Sequence, residues 1–183
     1  MSDTQSFPFE VTGKGAGLWN GAYSSQEKFT QLDVRGVVEY ARLRGVRVIV
    51  EFDMPGHAGS WCTGHPEICP SASCLQPLNV ANNATFELIE DLLQQCTGGV
   101  ASAPGKPSPG VFKDNFVHLG GDEVDTSCWT KTPAIAAWLT AQNMTADDGY
   151  AYFVKRVAEI AIAQGHRPVQ WCEKRAVSMP FFS

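Results

Sequence analysis

The hexapeptide His118-Leu119-Gly120-Gly121-Asp122-Glu123 holds the residues best suited to chemistry. It sets a histidine and a glycine pair before two adjacent carboxylates, at the end of the short apolar run Asn115-Phe116-Val117. Paired acids can divide the labour of general acid–base chemistry, one delivering a proton while the other stays ionised. The same two acids are also what a helix N-terminus attracts, so a plain helix cap is the competing reading of these six residues taken alone. Two further clusters repeat the pattern. Glu51-Phe52-Asp53-Met54-Pro55-Gly56-His57 closes an apolar run with an acid and a histidine, and Pro168-Val169-Gln170-Trp171-Cys172-Glu173 closes one with an aromatic and an acid.

The elements that position these clusters alternate along the chain. Thr30-Gln31-Leu32-Asp33 opens an amphipathic helix with a capping pair, and Val34, Val37, Val38, Ala41 and Leu43 supply its apolar face up to Gly45. The β-branched run Val46 to Phe52 is apolar on both faces, as a parallel strand covered by helices requires. Phe86, Leu88, Ile89, Leu92 and Leu93 mark a second helix, and the Gly- and Pro-rich stretch 97–110 reads as a surface loop. The strand carrying the hexapeptide follows. Thr132-Pro133 then starts a short helix, and Tyr152, Phe153, Val157, Ile160 and Ala161 line a longer one that stops at Gly165. The helix–strand alternation predicts a parallel α/β architecture. Chemistry-bearing residues at successive strand ends fit part of a (β/α)8 barrel; a doubly wound sheet is the alternative, but no glycine-rich phosphate turn opens a helix here.

Bulk properties exclude several functions. The 183 residues carry a formal charge of −5 with no basic run, which argues against nucleic acid or an anionic membrane surface as partner. No stretch approaches the ~20 apolar residues of a membrane span. The first residues lack the basic start and apolar core of a signal peptide. Six cysteines fit no zinc or redox spacing, and an even count permits disulfides. The triplets Asn83-Ala84-Thr85 and Asn143-Met144-Thr145 are glycosylation candidates, and with the cysteines they point to a secretory compartment.

Taken together, Tyr40-Ala41-Arg42-Leu43-Arg44-Gly45, the 51–57 cluster and His118 to Val124 resemble the β-N-acetylhexosaminidases of glycoside hydrolase family 20, of the eukaryotic lysosomal and secreted type. The likeness extends to Ser6-Phe7-Pro8, Cys128-Trp129, Trp171 and Glu173. It implies that residues 1–183 are one incomplete (β/α)8 TIM-barrel catalytic domain, from about the end of strand 2 to strand 5. It further implies removal of terminal non-reducing N-acetylhexosamine by a substrate-assisted, retaining route. In that route the substrate's own 2-acetamido oxygen attacks the anomeric carbon. Glu123 matches the general acid, and Asp122 the carboxylate that orients the acetamido group. A donor of this kind must keep its proton near the working pH, which burial or a neighbouring like charge favours.

By the same resemblance Asp53 and His57 support the acid, His118 packs behind it, and Trp171 walls the acetamido pocket. Asp3 matches an acid near the sugar, beside Thr4 where the family has a second acid. Cys128 matches a cysteine paired to the loop after the third strand, with Cys69 as first candidate partner and Cys74 next. The family implies no cofactor and no metal. Asp53, His57, Asp122 and Glu123 are nonetheless a competing metal-ligating set, although adjacent acids lack the i, i+4 spacing of a helical zinc site. The expected partner is a glycan or chitooligosaccharide, with homo- or heterodimers in the full-length protein and a lysosomal or secreted location. The alternative is an inactive fragment or non-catalytic carbohydrate-binding remnant of such a domain.

Overall fold

A computed structural model describes residues 6–98 and 110–171. Most of the expected loop 97–110, together with Asp3, Thr4, Cys172 and Glu173, lies outside the described residues. Three extended stretches lie side by side and run parallel. Strand β1 (Phe116–His118) pairs in register with β2 (Arg167–Val169). On its other side β1 meets residues 50–54 through a parallel bridge at Glu51 and His118. There His118 N donates to Val50 O (2.9 Å), Phe52 N to His118 O (2.9 Å) and Met54 N to Leu119 O (3.3 Å). All three stretches therefore deliver their C-terminal ends to one rim, which carries Asp53, Gly120 to Glu123, and Trp171.

The helices form for legible local reasons. In α1 (Gln31–Arg42) Thr30 Oγ1 accepts from Asp33 N (3.2 Å) while the Asp33 carboxylate accepts from Thr30 N (2.8 Å). Helix α2 (Asn83–Thr97) is capped by Asn82 and ended by Gly98 at φ +73°. Two short helices follow, α3 (Ser127–Lys131) and α4 (Pro133–Ala141). In α5 (Ala146–Ala163), Thr145 and Asp148 make a second reciprocal cap. Among the described residues no helix is long and apolar enough to cross a membrane.

The core sits between α2, α5 and one face of the parallel stretches. Phe86, Ile89, Leu92 and Leu93 from α2 meet Phe153, Val157 and Ala161 from α5, with Val117 and Leu119 beneath. The Phe86 and Phe153 rings lie 5.2 Å apart. Burying each such side chain stabilises the fold by about 1.5–3 kcal/mol. Alternation along β1 leaves Phe116 and His118 on the opposite, more open face.

Three expectations are corrected. The run Val46 to Phe52 does not pair along its whole length, and only its end joins β1; Val46 N instead closes the end of α1 on Ala41 O (3.0 Å). The apolar face of α1 is not core: no residue of that helix is buried, and Val34, Val38 and Ala41 are only partly covered among the described residues. The pairing of Cys69 with Cys128 is also wrong. Cys69 bonds Cys62, seven residues away, while Cys74 bonds Cys128, 54 residues away, each with Cα atoms 6.0 Å apart. The short helical turns Gly59–Thr63 and Pro66–Ile68 fold Cys62 back onto Cys69, which leaves Cys74 to reach α3. Cys96 is a buried thiol, and its burial pushes its pKa up.

Candidate active site

The turn after residue 52 sets an acid against a base. Asp53 Oδ2 lies 2.6 Å from His57 Nδ1, and both side chains are about nine-tenths buried. An ionised carboxylate can only accept, so Nδ1 donates and Nε2 faces outward. His57 reaches this position with φ +53°, a left-handed conformation uncommon for a residue with a Cβ. The other oxygen, Asp53 Oδ1, accepts from Gly121 N at 3.0 Å. One carboxylate thus ties the end of the first stretch to the turn that follows the second.

That turn is steeply bent. Gly120 (φ +65°), Gly121 (φ +94°) and Glu123 (φ +53°) all adopt positive φ. A Cβ at Gly120 would collide with the Asp53 carboxylate, so glycine is required there by close approach as well as by conformation. Trp171 N donates to Gly120 O (3.1 Å), and the Tyr150 hydroxyl donates to Gly121 O (2.5 Å). Asp122 and Glu123 emerge from this clamp in different surroundings. Asp122 Oδ1 is buried with no hydrogen-bond partner among the described residues. The Glu123 side chain is 76% exposed, with Oε2 3.7 Å from His57 Nε2. The described residues therefore do not give Glu123 the burial that was one of its two expected aids; the other, a neighbouring like charge, is present in Asp122.

Electrostatics bind the group together. Burial works against a charged imidazole at His57. The hydrogen bond and charge of Asp53, helped by Asp122 and Glu123, outweigh it and hold His57 protonated above the ordinary histidine range. Asp53, His57 and Asp122 each offer one ligand atom, all within 4.8 Å of one another, and could in principle hold a cation. The short Asp53–His57 hydrogen bond engages Nδ1 and leaves Nε2 as the ring atom turned toward Glu123.

A second group stands beside the first. His118 Nδ1 accepts from Gly120 N (3.1 Å) and lies 3.2 Å from Glu51 Oε1. The Trp171 ring packs 4.7 Å from the His118 ring, and its Nε1 donates to Glu51 Oε1 (2.9 Å). A cleft of about 270 Å³ opens against Glu51, Asp53 and His57, with Phe7, Phe9, Phe29, Trp61 and Phe112 among its walls; Asp122 and Glu123 do not line it. Asn83 and Asn143 lie far along the chain from this rim, at the start of α2 and in the α4–α5 turn, and both are exposed.

A model of the glycosyl hydrolase family 20 catalytic domain matches residues 1–179. The chain belongs to glycosyl hydrolase family 20. It is 44% identical over 171 residues to beta-hexosaminidase 3 of Arabidopsis thaliana, covering 93% of this chain and 30% of that protein. Against the beta-hexosaminidase subunit beta of Homo sapiens it is 31% identical over 180 residues, covering 93% of this chain and 30% of the relative. Among solved structures it resembles the Flavobacterium johnsoniae chitobiase, with a TM-score of 0.74 and 25% identity over 97% of this chain and 26% of that one. The chain thus spans about a third or less of the length of the relatives it matches.

Membership in family 20 explains why its motifs were readable, and the fold shows what they did not reveal. Asp53, His57, Asp122 and Glu123 converge at one rim, with His118 and Trp171 alongside. Two contributors were not assigned roles from the sequence. Glu51 belongs to the 51–57 cluster, two residues before Asp53 and so on the same face of the stretch, a spacing visible in the sequence. Tyr150 is 27 residues beyond Glu123 on a helix, and nothing in its neighbourhood pointed to the site.

Proposed function

We propose that this chain is the central part of a β-N-acetylhexosaminidase catalytic barrel, from about the end of strand 2 to strand 5, which removes terminal N-acetylglucosamine or N-acetylgalactosamine from glycans or chitooligosaccharides. The observation that carries the reading is the pair Asp122-Glu123 at the end of a parallel stretch, in contact range of the buried Asp53–His57 pair.

In this reading Glu123 protonates the glycosidic oxygen as the bond to the anomeric carbon breaks. The substrate's acetamido oxygen attacks that carbon from the other face, and the ring so formed is opened by water, which returns a proton to Glu123. Asp122 orients the acetamido group and offsets the positive charge that develops on it; its unpartnered Oδ1 is an acceptor free to take the amide hydrogen. His57, held by Asp53, keeps a positive charge next to the Glu123 carboxylate when the acid has given up its proton. Trp171 offers an apolar wall for a sugar face. Asp3 has its role by family resemblance alone. Residues 1–183 act as one incomplete domain of a longer protein that works in lysosomes or outside the cell, carries glycans at Asn83 and Asn143, and forms homo- or heterodimers.

The test is turnover of a chromogenic N-acetylglucosaminide by the full-length gene product and by Glu123→Gln. Loss of about 10²–10⁴-fold in kcat, with KM little changed, is expected for removal of a general acid. Equal turnover by the two proteins would remove Glu123 from this role.

A further inference from the structure

Helix α5 reaches into the acid-bearing turn through one side chain. The Tyr150 hydroxyl donates to Gly121 O at 2.5 Å, and that carbonyl belongs to the peptide whose nitrogen is Asp122's own. The NH of Gly121 is taken by Asp53 Oδ1 at 3.0 Å, so the residue preceding Asp122 is pinned on both sides. Gly120 and Gly121 both sit at positive φ and carry no side chain; Gly120 is held by His118 and Trp171, and Gly121 by Asp53 and Tyr150. The placement of Tyr150 is itself enforced. Gly149, the preceding residue, is buried, and a Cβ there would meet Leu139 Cδ2 at 2.7 Å; α5 therefore packs close against α4 and the ring of Trp129. Trp129 is anchored in turn, its Nε1 donating to Pro77 O and Leu78 O, and it neighbours Cys128 of the Cys74–Cys128 disulfide.

We infer that Tyr150 is a positioning residue for Asp122: its hydroxyl fixes the Gly121–Asp122 peptide and thereby aims the Asp122 carboxylate at the substrate's 2-acetamido group. The inference rests on the role proposed above for Asp122. Tyr150 touches no substrate in this scheme and acts through the backbone alone.

The test uses the full-length protein with Tyr150→Phe, which keeps the ring and deletes the donor. Tyr152→Phe is the control, since that hydroxyl also lies on α5 but receives Arg156 Nη1 (3.0 Å) away from the turn. Tyr150→Phe is expected to lower kcat about tenfold, as small misplacement of a reacting group does, with KM changed far less. The loss is expected to be equal for a 4-nitrophenyl and a 2,4-dinitrophenyl N-acetylglucosaminide, because the second leaving group needs no protonation while both need the acetamido attack. Binding of the thiazoline analogue of N-acetylglucosamine, whose fused ring mimics the cyclised acetamido group, is expected to weaken by a similar factor.

Unchanged kcat and thiazoline affinity in Tyr150→Phe would overturn the inference. So would a loss confined to the 4-nitrophenyl substrate, which would point to Glu123 instead, or an equal loss in Tyr152→Phe, which would trace the effect to packing of α5. Asp122→Asn is assayed alongside. If it keeps full activity, the role of Asp122 falls and the inference with it. If it loses activity while Tyr150→Phe does not, the inference alone falls.

Discussion

Helices α1 and α2 start in the same way and end in opposite environments. Each opens on a side-chain cap, Thr30 in one and Asn82 in the other, and each carries apolar residues at helical spacing. Yet α2 buries Phe86, Ile89, Leu92 and Leu93 almost completely, while α1 leaves Leu32 76% and Val37 64% exposed. The difference lies in what stands opposite. Helix α2 meets α5 and the parallel stretches, whereas among the described residues nothing covers the outer stripe of α1. A local pattern is enough to make a helix, and only a neighbour makes a core.

The contrast predicts a graded series of stability effects. The largest is Leu92→Ala, which removes a fully buried side chain and is expected to cost about 2–5 kcal/mol in urea unfolding. The matching change on the open side, Val37→Ala, is expected to stay within about 0.5 kcal/mol. If Val37→Ala costs as much as Leu92→Ala, the stripe of α1 is covered in the protein tested and the contrast disappears. The two disulfides come next, and both belong to the buried half. By loop length, breaking the 54-residue Cys74–Cys128 link is expected to cost about 4 kcal/mol and the seven-residue Cys62–Cys69 link about 2 kcal/mol, read as melting shifts of the Cys→Ser pairs. The reverse order would mean that the link to α3 is not a main tie of the core.

Smaller effects probe the helix caps. Thr145→Ala is expected to cost about 1 kcal/mol of global stability, because α5 is part of the core. Thr30→Ala removes an equivalent cap, but its effect is expected as faster amide hydrogen exchange confined to α1, with little global change. Global destabilisation by Thr30→Ala would show α1 to be coupled to the core.

A further small effect concerns the ion pair between Arg47 and Asp114, just before β1. The hydrogen bond from Arg47, with that residue's charge, holds the Asp114 carboxyl down at about 2. A carboxyl lowered by folding adds stability above its unfolded value, and that stability is lost as pH falls from about 4 towards 2. Asp114→Asn is expected to remove about 0.5–1 kcal/mol at neutral pH and to flatten the curve across that window, less so at high salt because Arg47 is mostly exposed. An unchanged acid limb would show that the pair contributes nothing.

The acid-bearing rim was partly legible in advance for reasons that particular residues make plain. The turn Gly120 to Glu123 needs glycine for its conformation and places its two acids directly after, so both features appear in adjacent letters. Thr30 with Asp33, and equally Thr145 with Asp148, wrote their helix starts within four residues. The partner of Cys128 was not legible. Cys69 and Cys74 are five residues apart, and the choice between them rests on how the 59–68 turns fold back. Tyr150 was not legible either, because its link to Gly121 depends on how closely α5 packs on α4.

By itself, then, the sequence determined the helices, the order of the parallel stretches, the family and the placing of two adjacent acids after a glycine pair. All of these depend on interactions within a few residues or on motifs read as a string. Only the tertiary structure decided which apolar stripe became core, which cysteines met, and that Asp53 and Tyr150 hold opposite sides of the residue before Asp122. Those outcomes depend on distances between residues far apart along the chain, which packing sets and local pattern does not.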